Sequence, residues 1–156
     1  MTKFYTNIIS IKNIYKKPSK KSELISQIIY GDSFSIIKKN GNWIKIKTKE
    51  DNYIGFIQNK NYLEFLKPTH KICVLKAKTY KSPNKLKKIN ELSFNSKLKI
   101  VQSKNGFLKF TSGWISRKHV RPINFKEKSF FKKIKLFKNI KYKWGGKSFK
   151  GIDCSA

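Results

Sequence analysis

The chain has 156 residues, with 37 Lys and Arg against 8 Asp and Glu and a formal net charge of +29. Its 38% hydrophobic and 14% aromatic residues are enough to build cores, which excludes wholesale disorder. Lys or Asn interrupts every apolar stretch, whereas a membrane helix needs roughly 20 apolar residues in succession, so no membrane span is expected.

The opening residues, Met1 to Asn7, show no apolar h-region and no small-residue cleavage site, which predicts no signal peptide and a cytoplasmic location. From there the chain repeats itself. Tyr15-Lys16-Lys17-Pro18-Ser19 recurs as Tyr80-Lys81-Ser82-Pro83-Asn84. Ser35-Ile36-Ile37 followed by Gly41-Asn42-Trp43-Ile44-Lys45-Ile46 recurs as Lys99-Ile100-Val101 followed by Asn105-Gly106-Phe107-Leu108-Lys109-Phe110. Tyr53-Ile54-Gly55-Phe56-Ile57 is answered, after a shorter loop, by Ser112-Gly113-Trp114-Ile115. Within each copy apolar residues alternate with Lys, as in strands with one wet face. Gly31-Asp32, Asn40-Gly41-Asn42 and Asn105-Gly106 supply the positive-φ positions of tight turns. Trp43, Phe56, Phe107 and Trp114 read as core residues, and Cys73 reads as a buried strand residue. Five or so strands in about 60 residues suit a small, partly open barrel.

Tyr30-Gly31-Asp32-Ser33-Phe34, Gly41 to Ile46 and Asp51 to Ile57 resemble a bacterial SH3-like domain. The second copy, ending in Gly113-Trp114-Ile115 and His119-Val120, is similar but more divergent. Beyond Pro122 the texture changes. Asn124 is placed to cap a helix, Phe130, Ile134 and Phe137 follow at helical spacing, and Asn139 is placed to end it. A basic amphipathic helix suits a membrane surface or, the reading preferred here, a neighbouring domain.

Then comes Tyr142-Lys143-Trp144-Gly145-Gly146, followed by Gly151-Ile152-Asp153-Cys154-Ser155. This resembles the nucleophile segment of the NlpC-type cysteine peptidases, papain-like enzymes that cut peptidoglycan stem peptides. Two SH3-like modules ahead of it resemble the γ-D-glutamyl-L-diamino acid dipeptidyl peptidases. The resemblance implies that Cys154 is the nucleophile, opening a helix whose N-terminus favours the thiolate. It also implies that Tyr142, Asp153 and Ser155 ring the free amine of the substrate. Gly145 and Gly146 are expected to let the backbone run close to that substrate. Lys141 stands where the family has Pro, and Ala156 where it has Gly. The family's His base lies downstream of the nucleophile, and neither His70 nor His119 is in the matching place. The 156 residues are therefore expected to be a fragment truncated just after the nucleophile, inactive by itself.

The chain is expected to be mainly β: SH3-like barrels over 7–66 and 70–122, then, in 124–156, a short helix and the start of a papain-like α+β domain. Its partners are expected to be peptidoglycan-derived peptides, with no cofactor and no metal. His70-Lys71-Ile72-Cys73 is only half a metal site. Two other readings remain open. One is a non-catalytic SH3-like module that binds wall peptide or a protein. The other is a basic nucleic-acid-binding β protein. Specific nucleic-acid recognition is not expected, because only Arg117 and Arg121 supply the bidentate guanidinium such readers use.

Overall fold

The computed structural model describes residues 2–126 and 129–155. The fold is mainly β and divides into two compact units, one running to Leu66 and rejoined by the chain from Lys141 onward, the other Lys67–Ile140. The expected third region, 124–156, is thus shared between the two units.

In the first unit β1 (Phe4–Asn7), β2 (Ile11–Tyr15), β3 (Leu24–Ile29), β4 (Ser33–Asn40), β5 (Trp43–Thr48), β6 (Ile54–Gln58) and β7 (Tyr62–Glu64) form one sheet in the order β3-β2-β6-β5-β4-β1-β7. The period of two along each strand decides what is buried. β5 turns Ile44, Ile46 and Thr48 inward and Trp43, Lys45 and Lys47 outward. Ile14, Ile28, Phe34, Ile44, Ile46 and Ile57 form the core, none more than 1% exposed. Burial of such side chains stabilises by roughly 1.5–3 kcal/mol each. The turns use the expected residues: Gly31 has φ 84° and Gly41 φ 56°. Asp32 closes the first of them by accepting the Ile29 amide at 2.9 Å.

The second unit contains β8 (His70–Ile72), β9 (Lys76–Tyr80), β10 (Lys88–Ser93), β11 (Lys97–Leu98), β12 (Gln102–Lys104), β13 (Phe107–Phe110), β14 (Gly113–Ser116) and β15 (Val120–Pro122). These make a five-stranded sheet, β10-β9-β14-β13-β12, and a three-stranded one, β11-β8-β15. The sequence repeat reappears as geometry. Tyr15 faces Phe56 across β2 and β6, and Tyr80 faces Trp114 across β9 and β14. The Tyr15 ring meets Trp43 edge-on at 5.8 Å, as Tyr80 meets Phe107 at 5.8 Å. Where Gly55 stands, a Cβ would lie 2.8 Å from the Tyr15 carbonyl oxygen; at Gly113 it would lie 2.7 Å from that of Tyr80.

Three sequence readings need correction. Of the aromatics expected in the core only Trp114 is buried. Trp43, Phe56 and Phe107 are half-buried, because alternation puts them on the face opposite Ile44, Ile57 and Leu108. Cys73 is half-buried just beyond β8, with its thiol 3.8 Å from the Lys118 carbonyl. The helix is shorter than expected: α1 spans Phe130–Leu136, starts at Ser129 rather than Asn124, and Asn139 is not left-handed. Lys132 and Lys135 stand three apart on it, and Lys138 follows three further on, a like-charge row that disfavours extension. Phe137, at its end, meets Phe94 edge-on at 5.4 Å, while Phe131 and Ile134 remain exposed. Two hairpin strands follow in the rejoining segment, β16 (Lys147–Ser148) and β17 (Gly151–Ile152).

Gly55→Ala would press its methyl onto the Tyr15 carbonyl and the Ile14 side chain. It is expected to destabilise the first unit by about 1–3 kcal/mol, read from urea unfolding followed on amide signals of that unit.

Candidate functional site

The segment from Lys141 packs on β3 and the loops of the first unit. Its shape follows from its glycines. Gly145 has φ 64° and lies so close to Leu24 and Ile25 that a Cβ would come within 3.1 Å of Leu24. At Gly146 a Cβ would sit 2.5 Å from the Gly151 carbonyl oxygen. On the side a Cβ would occupy, both glycines are packed against the chain itself. The Gly146 amide donates to the Lys143 carbonyl at 2.8 Å, and the Asp153 amide to the Gly146 carbonyl at 3.1 Å.

Lys147 fastens this segment. Its backbone amide donates to Oε1 of Gln27, a residue 1% exposed, at 3.0 Å. Its ammonium lies 3.0 Å from Asp51 Oδ2 and 3.7 Å from Asp32 Oδ2. Burial works against the Asp51 charge, but the Thr48 hydroxyl and Lys147 outweigh it and hold the carboxyl below its ordinary value. Burial likewise works against the Lys147 charge, and Asp32 and Asp51 overcome it, raising the ammonium above the usual lysine value.

The candidate site residues lie at the end of this clamp. Cys154 is exposed, in a turn. Asp153 Oδ1 accepts both the Ser155 amide at 2.9 Å and the Ser155 hydroxyl at 2.7 Å. The Ser155 hydroxyl is also 3.3 Å from the hydroxyl of Tyr53, from the loop between β5 and β6. Tyr142 bridges to Ile152 through the backbone and is 67% exposed; no hydrogen bond joins it to Asp153 or Ser155 among the described residues. A carboxylate and two hydroxyls are thus linked in one hydrogen-bonded chain, with Cys154 between Asp153 and Ser155 in sequence. Ala156 lies outside the described residues. His70 and His119 belong to the second unit, each with its imidazole pKa lowered by burial. Sequence reasoning missed Tyr53, Asp51 and Lys147. The only available signal was the polar loop Lys49 to Tyr53, which is longer than its counterpart in the second copy.

Residues 14–61 match the family described as the bacterial dipeptidyl-peptidase SH3 domain. The first unit carries a bacterial SH3 domain of that type. In fold the chain is similar to an NlpC/P60 family protein from Bacillus cereus, at 16% identity and a TM-score of 0.78, over 97% of this chain and 69% of that one. NlpC2 from Trichomonas vaginalis aligns over 99% of this chain and 63% of its own, at 14% identity and a TM-score of 0.35. No curated protein matches the chain in sequence.

Lys147→Met is expected to lower stability by about 1–2 kcal/mol, since it strands Asp32 and Asp51 without their cation. The depressed Asp51 contributes stability that is present above an unfolded-state pKa of about 3.9 and is lost as pH falls through the lower folded value. The raised Lys147 contributes below an unfolded-state pKa of about 10.4 and loses its contribution as pH rises through the folded value. Urea midpoints measured across pH are therefore expected to fall at both extremes in the parent and to flatten in the variant.

Proposed function

We propose that this chain supplies the SH3-like modules and the nucleophile segment of a cysteine peptidase acting on peptidoglycan stem peptides. Its substrate would be L-Ala-γ-D-Glu-diamino acid, hydrolysed after γ-D-Glu. The observation that carries this reading is the exposed Cys154, flanked by Asp153 and Ser155 in one hydrogen-bonded group that the SH3-like Tyr53 completes. Asp153, Ser155 and Tyr53 would face the substrate's ammonium, and their oxygens suit a charge-assisted contact with it. The Cys154 thiolate would attack the γ-carbonyl carbon, the diamino acid would leave with a proton on its amine, and water would hydrolyse the thioester. That sequence needs a base, and the first unit contains no His. The similarity in fold to an NlpC/P60 protein and the dipeptidyl-peptidase SH3 match support the same reading.

The 156-residue chain is expected to show no turnover of the tripeptide, yet to bind the product-like dipeptide L-Ala-γ-D-Glu. Amide shifts at Tyr53, Asp153 and Ser155 would report that binding. Acetylating the L-Ala amine should weaken it by about 30-fold or more, because the charge-assisted contact to the carboxylate is lost. Equal binding of free and acetylated dipeptide would overturn the amine-recognition role. Joined to the downstream His-bearing strands of such a peptidase, the chain should turn the tripeptide over, and Cys154→Ser should abolish that activity.

A further inference from the structure

A second concave site lies on the first unit, built by β2, the end of β6 and the segment that carries Cys154. It is a concavity of about 330 Å³, at the small end of the roughly 300–1,000 Å³ typical of small-ligand sites. Its cations are Lys12, Lys20, Lys60, Lys143 and Lys150, and no carboxylate lines it. None of these five forms an ion pair among the described residues. Lys12 decides the character of the site. It shares the inward face of β2 with Ile14, is 7% exposed, and donates from its ammonium to the carbonyls of Lys60 and Asn61.

The hydrogen-bond polarity points the same way. Gln27 Nε2 donates to Asn13 Oδ1 at 2.8 Å, and Asn13 Nδ2 donates to the Tyr15 hydroxyl oxygen at 3.1 Å. Gln27 Oε1 is taken by the Lys147 amide. The relay therefore ends on a phenol whose own proton is left to donate. The Lys60 and Asn61 carbonyls are used by Lys12. The side-chain oxygens of Asn13 and Gln27 are thus engaged within the wall, and the Tyr15 phenol and the ammoniums of Lys20, Lys143 and Lys150 are donors it offers outward.

We infer that this concavity binds a small anion carrying two or more oxyanion groups, carboxylate or phosphate, held by Tyr15, Lys20, Lys143 and Lys150 with the buried Lys12 charge behind them. The site is separate from the chemistry of Cys154 and stands whether or not the chain belongs to a peptidase.

The test is calorimetric titration of the 156-residue chain with citrate and with pyrophosphate at low ionic strength. One variant is Lys20→Gln/Lys143→Gln/Lys150→Gln. Another, Lys38→Gln/Lys39→Gln/Lys47→Gln, removes the same charge from exposed positions on β4 and β5. The expected result is saturable one-site binding of at least one probe, weakened about tenfold or more by the first variant and less than about twofold by the second. Tyr15→Phe should weaken it by about threefold with the fold intact. Preference for citrate would assign carboxylate as the natural group, and preference for pyrophosphate would assign phosphate. Equal loss in both triple variants, or unsaturable binding, would show only the diffuse attraction of a chain of +29 and overturn the site, as would binding of neither probe.

Discussion

The ammonium of Lys147 between Asp32 and Asp51 is the interaction on which the rest of the candidate site depends. The chain has 8 acids, and two of them are committed to this one cation. Asp32 is almost fully covered, so its charge is tolerable only with a partner. The same lysine is held at its backbone by Gln27, which fixes the hairpin β16–β17 and, through it, the turn that presents Cys154. Without this clamp the Tyr53 and Ser155 hydroxyls would have no reason to meet, since one belongs to the sheet and the other to the segment laid over it.

A protein this short of acids must settle its lysines by other means. Aromatic faces do part of that. Lys49 lies over both Phe4 and Phe65, at 5.1 and 4.9 Å, Lys45 over Phe56, and Lys109 over Trp114. Such contacts stabilise by about 0.5–1 kcal/mol at exposed positions and keep the ammonium in water while its stem covers apolar surface. They also explain why outward-facing aromatics such as Phe56 are retained on wet faces. Lys12 also lies over an aromatic face, that of Tyr62 at 5.6 Å, but it is drawn inward, and burial lowers its pKa to about 8.

Local features were legible in the sequence. The repeat, the turn glycines and the alternation that buries Ile44 and Ile46 could be read because each lies within a few residues or recurs in a fixed order. The side of the strand on which Trp43 and Phe56 fall was also implicit in that alternation, but hydrophobicity alone argued for the core and misled. Cys154, Asp153 and Ser155 were visible as a motif. Their partners were not. Tyr53 and Ser155 stand 102 positions apart, Asp51 and Lys147 stand 96 apart, and Gln27 and Lys147 stand 120 apart. No periodicity reports such pairs. The helix misled for a related reason: apolar spacing promised a face, and the charge of its lysines shortened the element that would carry it.

The two copies differ where β5 passes to β6 and β13 to β14. The first uses Lys49 to Tyr53, which holds two carboxylates and a phenol; the second turns through Thr111 and Ser112 alone. A duplicated module can drift where its twin is pinned. The longer loop is answerable to residues a hundred positions away, so its sequence can change only in concert with them. The short turn of Thr111 and Ser112 carries no such obligation and is free to accept insertions on the second unit's own terms.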